Sequence, residues 1–444
     1  MFIIFSLTIL ASASAISVSR IWDIFENIIN LTDAVATTYV PEDAQLNITQ
    51  LVEKYGYQLH EQHVTTQDEY VLNFHRIYRD DVQQNGHVVF LMHGIWESSD
   101  SWVLQGPKNA LAFVLADRGF DVWLGNARGN KHSLGHRTMH SQMPKFWEFT
   151  WEEIGLYDLP AMIDHILHVT GKENLYYIGH SQGTTSGYVL LSMRPEYNKK
   201  IKMMFSLAPE AWMGNVKSPL VRMLSPYSAL GQWLQCYETF SPSTELFNRI
   251  SAFLCSVVPV RCDKFLYAVT GYGNKINETL LPVIFGHMPT GASTLQFLHY
   301  GQLVMSERFC RYDYGEERNL EKYRQKSPPD YDLGNIRVPM VMYYSGNDWL
   351  SDPRDVATLK RHLPNVYSYI YLGDFSHMDY IYSNEAVNNI YTRIIGQIEK
   401  FERTNDNCIL FEVPSLVTDS FSINILEEFG VAGFFIYRSN LFGL

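Results

Sequence analysis

Nowhere does the chain contain the roughly 20 consecutive apolar residues that a bilayer-spanning helix needs. Neither the N-terminal run nor the stretch GVAGFFIY near the C-terminus reaches that length, so no transmembrane anchor is expected. Charge is also scarce. Only 18% of residues are Asp, Glu, Lys or Arg, and acids outnumber bases 47 to 35, for a formal net charge of −12. Without a Lys/Arg patch the chain lacks what dominates phosphate-backbone binding, which excludes nucleic acid as a partner. No obligate protein partner is evident either. The sequence has no His-Glu-x-x-His, no Cys-x-x-Cys and no strand followed by Gly-x-Gly-x-x-Gly, so neither a metal nor any other cofactor is called for. The cysteines are an odd number, Cys236, Cys255, Cys262, Cys310 and Cys408. If the chain is oxidised at least one stays out of an internal pair; Cys255 with Cys262, closing a short loop, is the favoured bridge, and five buried thiols are the alternative.

What is present is apolar material: 46% of 444 residues, enough for a large core and incompatible with a disordered chain. The length fits one core carrying a large insertion. The chain begins MFIIFSLTIL and then ASASA, a short apolar region followed by an Ala-x-Ala site, which reads as a secretory signal over 1–15, cut after Ala13 or Ala15. Asn-x-Ser/Thr sequons at Asn30, Asn47 and Asn277 agree with glycosylation along that route, to the lysosome or the extracellular space.

From about residue 87 short apolar runs alternate with amphipathic ones: HVVFLMHG, ALAFVLADRG, FDVWLGNARG, LPAMIDHILHVTG, NLYYIGHSQG. The rhythm resumes in IKMMFSLAP, VPMVMYYSG and VYSYIYLGD. It predicts an α/β fold with a mostly parallel sheet and helices on both faces. Between Pro209 and Val338 the rhythm lapses into a segment rich in Trp, Tyr, Phe, Leu and Met. The expected organisation is an N-terminal segment at 16–85, a first core part at 86–210, a mainly helical cap at 211–334, a second core part at 335–402 and an unassigned tail at 403–444.

Gly179-His180-Ser181-Gln182-Gly183 lies where the apolar run NLYYI gives way to the helix-compatible TTSGYVLLSM, the setting of a Gly-x-Ser-x-Gly nucleophile elbow. A serine hydroxyl needs a base, and the base an orienting acid, in the chain order Ser, acid, His. Asp348 follows the strand VPMVMYY and His377 the strand YSYIYL, so Ser181, Asp348 and His377 form the expected triad. Asp352 and Asp355 compete for the acid role, but LSDPRDVATLK reads as a helix start, where Asp is commonly a cap. His180 sits inside the elbow, His287 and His299 in the cap, and His362 before the last strand rather than after it. An oxyanion hole is expected from the backbone N–H groups of Gln182 and Ile95, the latter on the loop His93-Gly94-Ile95-Trp96. His93 and Arg128 are read as scaffold. This pattern fits a hydrolase that forms an acyl-enzyme. A soluble carboxylesterase or thioesterase acting on small esters and a non-catalytic lipid carrier are the other readings; the aromatic cap argues against the first and the intact Ser, acid and His against the second.

Over about residues 40–400 the chain resembles the acid lipases, the α/β-hydrolase family of gastric lipase and lysosomal acid lipase. The resemblance rests on NITQLVEKYGYQLHEQHVTTQDEYVLNFHRI, FLMHGIWESSDSWV, LADRGFDVWLGNARGN, YDLPAMIDHI, YIGHSQGTT, PTGASTLQFLHYGQ and SGNDWLSDPRDV. It implies the same triad, the Ile95 and Gln182 amides as oxyanion hole, and a lid over an apolar pocket. It also implies a neutral-lipid substrate, triacylglycerol or cholesteryl ester, met at a lipid–water interface. Asp68-Glu69 stands where the family has Asp-Gly, and HGIWESS replaces a leucine-rich version.

Overall fold

The computed structural model describes residues 40–228, 245–257, 259–273 and 275–409. The chain divides into two compact units, 1–396 and 397–444; of the second, 397–409 are described, all within one helix. The proposed signal segment, Asn30, Cys236 and the tail from 410 lie outside the described residues.

The first unit is organised by one nine-stranded sheet. Its strands are β1 (Gln58–Thr65), β2 (Tyr70–Tyr78), β3 (Val88–Met92), β4 (Asp121–Leu124), β5 (Gly135–His136), β6 (Leu175–His180), β7 (Ile201–Leu207), β8 (Met340–Tyr344) and β9 (Val366–Tyr371). Their order is β1-β2-β4-β3-β6-β7-β8-β9, with β5 on β2. From β4 to β9 every neighbouring pair is parallel, whereas β1, β2 and β5 pair antiparallel. The fold is therefore the mostly parallel α/β architecture expected, and the six runs read as strands from about residue 87 onward are β3, β4, β6, β7, β8 and β9. The N-terminal segment is no separate appendage: β1 and β2 extend the same sheet, β2 pairing with β4 over His75–Ile77.

Local chemistry accounts for the elements. All residues of β3 and β6 are buried, as in a parallel sheet covered on both faces, so their sequences are continuous apolar runs rather than alternating ones. Flanking helices include α1 (Ile48–Lys54), α2 (Leu111–Ala116), α3 (Leu159–Thr170) and α4 (Gln182–Met193). Asn47 opens α1 with a capping box: its side chain accepts the Gln50 N–H at 2.9 Å, and the Gln50 side chain accepts the Asn47 N–H at 3.0 Å. Gly171, at φ 64°, closes α3 in the left-handed conformation that glycine adopts without a Cβ clash. Around the sheet Phe90, Trp123, Trp151, Tyr177, Tyr188 and Met204 belong to one buried cluster. Each contributes on the order of 2 kcal/mol by leaving water, so the strand ends stand on a stiff base.

Between β7 and β8 the chain leaves the sheet for a largely helical insertion containing α5 (Glu245–Val257), α6 (Pro259–Thr270), α7 (Leu281–His287) and α8 (Thr294–Ser306). Cys255 and Cys262 form a disulfide with Cα atoms 5.6 Å apart, joining α5 to α6, while Cys310 is free and buried. The helices after the return to the sheet include α9 (Pro353–His362) and α10 (Thr392–Ile409). The latter runs beyond residue 402, because no Gly or Pro interrupts the chain between Gly396 and Pro414. Among the described residues no helix is long and apolar enough to cross a membrane.

Candidate active site

Ser181 sits between the end of β6 and the start of α4 with φ 51° and ψ −121°. A non-glycine residue there is strained, and the turn is held by what surrounds it. A Cβ on Gly179 would come 2.7 Å from the carbonyl carbon of Gly183, and one on Gly183 would run into the Met92 carbonyl oxygen. Those two contacts explain both glycines of the pentapeptide. The Ser181 N–H is tied to the Leu207 carbonyl of β7 at 3.0 Å, and the hydroxyl stands at the N-terminus of α4, where the helix dipole favours negative charge.

Three strand ends converge on that hydroxyl. His377, after β9, places Nε2 2.8 Å from Ser181 Oγ. Asp348, after β8, places both carboxylate oxygens 3.0 Å from His377 Nδ1. Asp348 Oδ1 in turn accepts the N–H groups of Leu350 and Ser351, each at 2.9 Å. The His377 backbone is pinned as well: its N–H donates to the Thr270 carbonyl at 3.0 Å, and its carbonyl accepts from His180 Nε2 at 3.0 Å. With Asp348 accepting at Nδ1, the proton of a neutral imidazole lies on that nitrogen and the Nε2 lone pair faces Ser181, the arrangement that can take a hydroxyl proton. Burial pushes the His377 pKa down, but the charge of Asp348 and its hydrogen bond, with Glu210 and Glu97 adding to them, outweigh this and hold it at about 9.

The loop after β3 lies against the nucleophile, since a Cβ on Gly94 would come 3.0 Å from Ser181 Cβ. Among the described residues, neither the Ile95 nor the Gln182 N–H donates to a protein acceptor. Glu97 folds back to accept the Gly94 N–H at 2.6 Å and lies 3.2 Å from His180 Nδ1, which links this loop to the elbow and, through His180, to the His377 loop. His93 is bonded on both ring nitrogens: Nε2 accepts the Ala127 N–H at 3.1 Å, leaving Nδ1–H to donate to the Gly94 carbonyl at 2.7 Å. The insertion reaches the same place. The Gln182 side chain donates to Gln296 of α8 at 2.6 Å, Trp96 packs on Phe297 with centroids 4.8 Å apart, and the Tyr300 hydroxyl is 3.0 Å from Thr185 Oγ1.

The other candidates are occupied elsewhere. Asp352 caps α9 by accepting the Arg354 N–H at 2.9 Å and pairs with Lys217 at 3.0 Å. Asp355 holds Asn215 at 2.7 Å and 2.8 Å. His287 bonds Asp100 at 2.8 Å, His299 stacks on Trp151, and His362 stacks on Trp212. Arg128 is clamped between Asp158 and Asp68, its guanidinium 4.0 Å from the Tyr70 ring centroid, so it braces the sheet. Asn47 and Asn277 are both exposed. Sequence reasoning missed Glu97 and Glu210. The available signal was a lone carboxylate in an apolar strand-end run, FSLAPEAWM for Glu210, and a Glu three residues after the loop glycine for Glu97.

One neighbouring acid makes a stability prediction. Asp379 is fully buried; burial raises its carboxyl from 3.8 to about 6 against the opposing bond from the Ser376 N–H. A group whose folded pKa is raised contributes stability that is fully present below its unfolded pKa and lost as pH rises through the folded value, here about 3 kcal/mol between pH 4 and 6. Asp379→Asn should therefore gain in melting temperature relative to the parent as pH rises from 4 to 7. Parallel curves for the two proteins would show that Asp379 is not the source.

With the geometry in view, the kinship of the chain can be stated. Residues 48–106 match the partial alpha/beta-hydrolase lipase region and residues 87–252 the alpha/beta hydrolase fold. The chain is 39% identical to Lipase 1 of Drosophila melanogaster over 83% of each protein. It is 40% identical to Lipase 3 of the same organism over 79% of this chain and 92% of the relative. With gastric triacylglycerol lipase of Rattus norvegicus it shares 36% identity over 80% of this chain and 92% of the relative.

Proposed function

The chain belongs to the acid lipase family, as a serine ester hydrolase of the lipase type, and from that premise we propose that Ser181, His377 and Asp348 carry the hydrolysis of neutral-lipid esters. The observation behind this reading is the unbroken contact from Ser181 Oγ through His377 to both oxygens of Asp348. His377 takes the Ser181 proton as Oγ attacks the ester carbonyl. The N–H groups of Ile95 and Gln182 receive the oxyanion, whose stabilisation by one such donor is worth about 3 kcal/mol. The imidazolium then protonates the leaving alcohol, giving an acyl-serine. Water repeats the sequence with His377 as base and releases the fatty acid.

Residues 211–334 act as a cap over this site, and the contacts of Gln296, Phe297 and Tyr300 support placing the PTGASTLQFLHYGQ segment at its border. The substrates in this reading are neutral-lipid esters, triacylglycerols or cholesteryl esters or both. A signal at 1–15, glycans at Asn30, Asn47 and Asn277, and a secreted or lysosomal destination complete the reading. The purified protein should hydrolyse triolein or cholesteryl oleate between pH 4 and 8, with a rate that climbs once substrate exceeds its solubility limit. Hydrolysis confined to dissolved short nitrophenyl esters, with no gain at the interface, would assign it to small esters instead.

A further inference from the structure

Glu210 follows β7, the strand between those that lead to Ser181 and Asp348. It is 3% exposed, and its backbone is held on both sides: its N–H donates to Thr184 Oγ1 at 3.0 Å and its carbonyl accepts from Thr185 Oγ1 at 2.8 Å. Among the described residues no Lys or Arg pairs with its carboxyl. The cationic group nearest it is the ring of His377, with Oε1 3.7 Å from Nε2, and the Ser181 and Tyr300 hydroxyls also face it. Among the described residues Asp348 alone bonds the Nδ1 side of the imidazole, so the ring lies between two buried carboxyls, and the second addresses the very nitrogen that must be free of a proton to activate Ser181.

We propose that Glu210 is a positioning residue for charge on His377: ionised, it holds the proton on Nε2 and sets the pH below which the base is unavailable. This rests on His377 being the base. A carboxylate within 4 Å of an imidazole favours the charged ring by about 1 pH unit or more. Burial raises the Glu210 carboxyl above its ordinary range, and the charge on His377 opposes that shift. The two groups therefore titrate as a pair, passing from two protons to one, held on the His377 ring beside the ionised Glu210, and then to none. The remaining groups facing the pair are Asp348 and His180, whose ring centroid is 5.0 Å from that of His377, with Glu97 behind His180. All of these stay in place when Glu210 alone is changed, so a change at Glu210 is readable by itself.

The test uses the full chain. In a Ser181→Ala background, the midpoint of the His377 ring resonance should fall by about 1 unit or more on adding Glu210→Gln. With Ser181 intact, Glu210→Gln should move the acid limb of kcat/KM to lower pH by the same amount. Glu210→Met, uncharged and of similar volume, should do likewise and serves if the Gln variant does not fold. An unmoved His377 midpoint, or one displaced upward, overturns the proposal. Because the resonance is read without turnover, that outcome is distinct from failure of the base assignment, which would appear as an active His377→Ala enzyme.

Discussion

Ser181→Ala is expected to lower kcat/KM on an emulsified triglyceride by on the order of 10⁶-fold with the fold intact. Ser181 is the only hydroxyl in contact with His377 Nε2 among the described residues, so no neighbouring group can take over the attack. Its removal leaves the His377–Asp348 bond, the Ile95 and Gln182 N–H groups and the binding surface in place, and what survives is the modest catalysis such groups give over water. The side chain lost is one oxygen at the mouth of the elbow rather than core volume, so the melting temperature should stay within about 1 kcal/mol equivalent of the parent. A fluorophosphonate probe should label the parent at Ser181 and leave the variant unlabelled. Turnover within tenfold of the parent would remove Ser181 from the mechanism.

Asp348→Asn should cost on the order of 10⁴-fold in kcat, and Asp352→Asn almost nothing. An Asn at 348 would keep its oxygen on the Leu350 and Ser351 N–H groups, which now hold Oδ1 at 2.9 Å. Its NH₂ would then face His377 Nδ1, that nitrogen would have to accept, and the ring proton would move to Nε2, where it cannot receive the proton of Ser181. The loss is one of tautomer rather than of contact. Asp352 is the contrasting case: Asn is as good a helix cap as Asp, and its ion partners Lys217 and Arg354 are 39% and 65% exposed, so screening leaves the pair worth little. Measuring kcat and melting temperature for both variants separates the roles, since equal kinetic losses would leave the acid unassigned.

How much of this was legible beforehand depends on the range of the physics involved. The elbow is a local object: two glycines, a serine, a strand before and a helix after, all within about twenty residues. The strand ends bearing Asp348 and His377 follow from apolar runs and the turn residues that close them. Asp352 announced its cap by the Pro353 that follows it. Glu97 and Glu210 were not legible as site residues, because a carboxylate reads alike in sequence whether it meets water or a distant histidine, as Glu97 meets His180 across 83 positions and Glu210 meets His377 across 167. The placement of β1 and β2 in the main sheet escaped for a similar reason. An antiparallel hairpin carries its own pairing but no local sign of which strand it will lie beside.

By itself, then, the sequence determined the α/β rhythm, the nucleophile turn and the order Ser181, Asp348, His377, since each follows from short-range periodicity and steric demand. Only the tertiary structure decided that Nε2 of His377 lies between Ser181 and a second buried acid, and that Gln296 of the insertion holds Gln182. These are contacts across strand order and helix packing, where the free energy comes from burying distant surfaces together, and no window along the chain contains both partners.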